Sequence, residues 1–163
     1  MLLKKSSLLL ALAFLVSVCP GCSSSGVRLR PDGTPERQFC PDGALEAMKD
    51  LGITQGDLFS ILIDRRQRDR GAVVIADGAI ESTTTEDYTR LPYGTRLYGQ
   101  AWTAAPVTVI RYHEALLPDG TRLPFCAVAE EEGHGLVKHA NSPRGVAILD
   151  DNRAGLRIVG AYN

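Results

Sequence analysis

From Asp57 onward the chain is cut into short apolar runs, rich in β-branched residues and closed by turns that carry glycine. The runs are "DLFSILI" (57–63), "AVVIA" (72–76), "GAIEST" (78–83), "GTRLYGQAW" (94–102), "PVTVIRYHEALL" (106–117), "TRLPFCAVA" (121–129), "GVAILD" (145–150) and "GLRIVGAY" (155–162). Their residues suit a pleated, half-buried surface. Asp77-Gly78 supplies a turn before the third run, and Asp119-Gly120 is a strong hairpin signal between two longer ones. "GVAILD" (145–150) and "GLRIVGAY" (155–162) read as a closing pair across Asp151-Asn152-Arg153. The expected fold is mainly β: a small antiparallel sandwich or barrel of about seven strands.

One segment departs from that grammar. "CPDGALEAMKDLGI" (40–53) carries a helical stripe of Ala44, Leu45, Met48 and Leu51, with Gly52 as a left-handed stop. Asp42 is placed to act as N-cap, and Ile53 to contact Met48. The helix is short, so packing rather than propensity must hold it.

The N-terminus precedes any fold. Lys4 and Lys5 are followed by an apolar stretch from Leu8 to Val18, shorter than the ~20 residues of a membrane span, and this is the pattern of a secretory signal. "CPGCSSSG" then resembles a bacterial lipobox, which implies cleavage before Cys22, acylation of Cys22, and attachment to the membrane through that lipid. Ser23 stands where an Asp would resemble an inner-membrane retention signal, so the outer membrane is the expected site. The organisation expected is a signal at 1–21, a Ser-, Gly- and Pro-rich flexible tether at 22–36, and one β-rich domain at 37–163. About 140 residues remain after cleavage, enough for one core. Loss of the two lysines takes the formal charge from −1 to about −3, with no basic footprint for nucleic acid.

Two phrases, "PDGTPERQFC" (31–40) and "PDGTRLPFC" (118–126), both end in Phe-Cys. With Cys19 removed and Cys22 acylated, Cys40 and Cys126 are the thiols left in an oxidising compartment, and a disulfide between them is the economical reading. It would clamp the helix start onto the hairpin strand.

Other clusters are weighed against plainer roles. "DRRQRDRG" (64–71) could be an anion-binding patch, but Asp64 and Asp69 among its arginines favour a solvated hairpin loop. "EEEGHGLVKH" (130–139) puts carboxylates beside His134 and His139, the candidate metal ligands. Their spacing fits neither a helical pair nor a zinc finger, so a polar loop without metal is expected. Tyr98 and Trp102 suit core packing better than an aromatic platform, and His113 reads as a strand surface residue. The sequence carries no Gly-x-Ser-x-Gly, no phosphate-binding Gly-x-x-x-x-Gly-Lys and no His-Glu-x-x-His.

"CPDGALEAMKDLGI", "LPYGTRLYGQAW", "RYHEALLPDGTRLPFCAVA" and "PRGVAIL" together resemble a family of small, mostly uncharacterised lipoproteins and secreted proteins from myxobacteria, over most of residues 38–150. Its distinctive element is Cys-Pro-x-Gly-Ala paired with a later strand, here Pro124-Phe125-Cys126. Members sometimes carry a serine/threonine-kinase label; this chain has no glycine-rich loop, His-Arg-Asp or Asp-Phe-Gly. "LPYGTRLYGQ…VTVIRYHEALLPDGT" is also similar to the barrel segment of the outer-membrane-spanning subunit of type IV secretion systems.

These readings point to a non-enzymatic outer-membrane lipoprotein. Its disulfide-closed β domain, without cofactor, would bind another envelope protein or cell-wall component. The alternatives are an envelope hydrolase or transferase using the His113, His134 and His139 region, or an accessory subunit of a secretion or signalling complex.

Overall fold

The computed structural model describes residues 26–88 and 90–163; the expected signal segment and Cys22 lie outside them. In chain order the elements are β1 (Gln38–Phe39), α1 (Ala44–Asp50), β2 (Leu58–Leu62), β3 (Val73–Ala76), β4 (Gly78–Thr84), β5 (Arg96–Trp102), β6 (Val107–Leu116), β7 (Arg122–Glu130), β8 (Leu136–Val137), β9 (Val146–Leu149), β10 (Arg153–Ile158) and β11 (Ala161–Tyr162). Strands pair in the order β5-β4-β2-β10-β7-β6, and β6 pairs back onto β5. Every junction is antiparallel, so six strands close into a barrel with no free edge. The fold is the mainly β architecture with one short helix that the turn-and-run pattern predicts.

Alternation along the strands fills the barrel. Leu97, Ile110, Tyr112, Phe125, Ala127, Leu156 and Ile158 are buried in one continuous apolar core with Ile61 and Met48. Ser82 and Tyr112 are polar members of the interior, and they satisfy each other at 2.7 Å while Ser82 Oγ donates to Ile63 O at 2.6 Å. Burial pushes the Tyr112 phenol above its ordinary pKa, so it stays a neutral hydrogen-bonding group. The β5–β6 contact requires Gly99: a Cβ there would stand 2.4 Å from Arg111 O. Opposite it, His113 is the extra residue of a bulge, since Tyr98 faces Glu114 while Gly99 faces Tyr112.

Cys40 and Cys126 form a disulfide, with Cα atoms 5.4 Å apart. It ties the residue ahead of α1 to β7, the strand against which α1 packs, as the paired phrases imply. The helix ends as read from sequence: Gly52 is left-handed (φ 72°), its N–H donates to Lys49 O, and Ile53 N–H donates to Met48 O at 2.8 Å. Its start differs. Gly43, not Asp42, is the N-cap, in a left-handed conformation (φ 75°) without a side-chain cap. Pro41 O accepts the Ala44 N–H in a turn, so the chain arrives along a path fixed by Pro41 and the disulfide.

Three further expectations are corrected. β9 and β10 do not pair across Asp151-Asn152-Arg153; β9 pairs with β3, and β10 lies between β2 and β7. Asn152 breaks the run because it is buried and used, accepting from Asp64 N–H and donating to Asp64 O and Arg68 O. Residues 64–71 join β2 to β3, which are not hairpin partners. The loop is organised by Asp64, 5% exposed, which accepts from Arg66 N, Arg66 Nε and Gln67 Nε2. Finally, residues 26–36, assigned by composition to a flexible tether, fold onto the barrel. Arg30 N donates to Thr34 O, Glu36 N donates to Arg28 O, Leu29 bridges to Pro35, and Gly33 packs on Ala104 and Ala105.

Candidate binding groove

Where β5 and β6 lie side by side, their outward side chains meet β11 and the segment between Val27 and Pro41. Gln100 and Trp102 come from β5, Arg111 and His113 from β6, Tyr162 from β11, and Val27, Gln38, Phe39 and Pro41 from the N-terminal segment; together they line a groove of about 240 Å³. The pairing of β1 with β11 builds its wall.

Arg111 lies at its base and is 3% exposed. Its Nη1 donates to Glu36 O and Gln38 Oε1, and its Nη2 to Pro35 O and Asn163 O, at 2.8–3.2 Å. The guanidinium also lies 5.4 Å from the Trp102 ring centroid and 5.3 Å from that of Tyr162. Each ring offers its electron-rich face to a desolvated cation. No Asp or Glu side chain pairs with Arg111 among the described residues. Burial therefore draws its pKa below the ordinary arginine value, and its Nε is buried without a partner. The Tyr162 hydroxyl donates to Tyr112 O at 2.6 Å, joining this wall to the barrel.

Phe39 is 87% exposed at the rim. Next to the groove, Phe39, Cys40, Pro41, Leu45 and Gly160 line a shallower depression. The arrangement offers the exposed Phe39 ring, side-chain amides and an exposed imidazole to a partner.

The histidines do not converge. His113 lies on the groove, exposed as a strand surface residue should be. His134 closes a tight turn with Glu131, each N–H donating to the other's carbonyl at 2.9 Å. His139 lines a different cavity, of about 280 Å³, and its Nε2 contacts Asp150 Oδ1 at 2.6 Å. Among the described residues, no group of three His, Cys, Asp or Glu side chains is gathered to hold a metal ion. Glu130 is not part of a polar loop. It is the last residue of β7, buried, and its carboxylate receives Arg157 Nε and Nη2 at 2.5 Å.

Trp102 is buried, but beneath the groove on the outer wall, and Tyr98 is half-buried between the Arg96 and Arg122 guanidinium groups. Neither belongs to the barrel interior, because the residues of β5 that point inward are Leu97, Gly99 and Ala101. The sequence reading missed Arg111, Gln38 and Tyr162. The available signal was an arginine set between Ile110 and Tyr112 in an otherwise apolar run, a position where a cation needs several acceptors.

No family model and no curated protein matches the chain.

Proposed function

We propose that the protein is a non-enzymatic outer-membrane lipoprotein that carries its lipid on Cys22 and holds an envelope component against the Trp102–Arg111–His113 groove. The observation that carries this reading is the groove's chemistry. It sets exposed Phe39 and His113 and the amides of Gln38 and Gln100 around a buried cation held by main-chain carbonyls and two aromatic rings. Such groups recognise and hold a partner, and a site of this kind is mostly apolar with a few placed polar groups. The disulfide supports an exported location, since such bonds persist in oxidising compartments.

The test has two parts. Metabolic labelling with a fatty-acid probe should mark the wild-type protein and leave Cys22→Ser unlabelled; label persisting in the variant removes Cys22 as anchor. A photo-crosslinking side chain at position 113, introduced in cells, should capture an envelope component, and the same group at the exposed Val74 should not. Equal capture at both positions, or none at 113, overturns the groove as the binding site.

A further inference from the structure

The described residues begin close to the expected anchor. Cys22 and Gly26 are four positions apart, so the extended chain between them spans at most ~14 Å. A domain of this size is ~35 Å across. The segment after Gly26 gives no further slack, because the turn bonds at Arg30 and Glu36 and the packing of Gly33 hold it on the barrel. A lipid on Cys22 thus brings the face around Gly26 against the bilayer.

That face gathers exposed apolar side chains among charged ones. Val27 and Phe39 share the groove, Phe39 and Leu45 share the adjoining depression, and Leu29 bridges to Pro35 beside them. Phe39, Leu45 and Leu29 are 87%, 50% and 47% exposed. Arg28, Arg30 and Arg37 stand among them, also exposed, and so do Glu36, Asp42 and Glu46. Charge of both signs leaves no strong field, so apolar contact and tether length decide what binds.

We propose that this face, with Phe39 at its centre, docks on the surface of the membrane that holds the Cys22 lipid. The groove's partner is then the lipid surface itself. This rests on the lipoprotein reading above and names the envelope component. Phe39 and Leu29 enter the boundary between headgroups and acyl chains, as the apolar face of a peripheral anchor does, while Gln100 and His113 stay at headgroup level.

The single tryptophan of the sequence, Trp102, lies in the groove and reports the contact. Mature lipoprotein isolated from membranes is placed in phosphatidylethanolamine–phosphatidylglycerol vesicles whose acyl chains are brominated. Trp102 emission should be quenched relative to vesicles without bromine, equally at low and high salt. The double variant Phe39→Ser, Leu29→Ser should lose most of that quenching with its acylation and disulfide intact, and Val74→Ser should keep it. Acylated protein whose Trp102 is not quenched overturns the docking alone and leaves the anchor standing. If it also sediments as a dimer, the face is assigned to a second copy. An intact mass without acyl chains on Cys22 overturns both readings.

Discussion

Gly99 shows how one residue governs two strands. A methyl at that position would meet Arg111 O at 2.4 Å and the Tyr112 ring at 2.9 Å, and both belong to a closed wall that cannot move aside. Gly99→Ala should therefore cost about 1–3 kcal/mol, the range for overpacking a filled interior, read as a lower urea midpoint at unchanged slope. Arg111→Met should cost about 2–4 kcal/mol, since it strands one buried and two part-buried carbonyls that the guanidinium satisfies. Near-UV circular dichroism from Trp102 and Tyr162 would report the loss. Asp64 sets the response to acid. Burial alone would raise its pKa, but the hydrogen bonds from Arg66 and Gln67 outweigh burial and hold it below 3.8. A carboxyl depressed on folding contributes stability that is full above its unfolded pKa and is lost as pH falls through the folded one. Glu81, held low first by its hydrogen bond from Arg96, has the same sign. Stability should thus fall as pH drops below about 4. In Asp64→Asn that acid limb should be shallower, measured by denaturant titration at successive pH values.

At the scale of elements, α1 is a short helix whose position is imposed. Its Schellman end is local, made by Gly52 and Ile53, but its start has no side-chain cap and depends on the Cys40–Cys126 bond. That bond closes a loop of 86 residues, which is worth about 4–5 kcal/mol on the chain-entropy argument. The Cys40→Ser, Cys126→Ser double variant should lose a comparable amount, with melting lowered and amide protection of α1 falling first. Denatured, non-reduced wild-type protein should show no reactive thiol from this pair. The loop at 64–71 illustrates the opposite case. Its composition reads as solvated and its arginines are exposed, while Asn152, distant in sequence, reaches Asp64 and Arg68 and makes it a fixed corner.

At the scale of the molecule, closure decides where stability resides. β4, β5, β6 and β7 are consecutive antiparallel neighbours, whereas β2 and β7 are joined only when β10 arrives from the end of the chain. Amide exchange should be slowest along β5, β6 and β7, which have partners on both sides, and faster in the two-stranded β3–β9 pair and in β8. A uniform exchange rate across these elements would contradict the barrel. The sequence by itself determined the β class, the single helix and its glycine stop, the Asp119-Gly120 hairpin and the cysteine pair. These follow from residue periodicity, turn chemistry and the count of free thiols, all of them local or nearly so. Only the tertiary structure decided that β10 lies between β2 and β7, that residues 26–36 pack on the barrel, and that Arg111 joins residues 35–38 and Asn163 to its wall. Those arrangements depend on which distant backbone groups meet, in the ladders on both sides of β10 and around one guanidinium. A linear pattern cannot carry that, because acceptors on the main chain have no residue type to read.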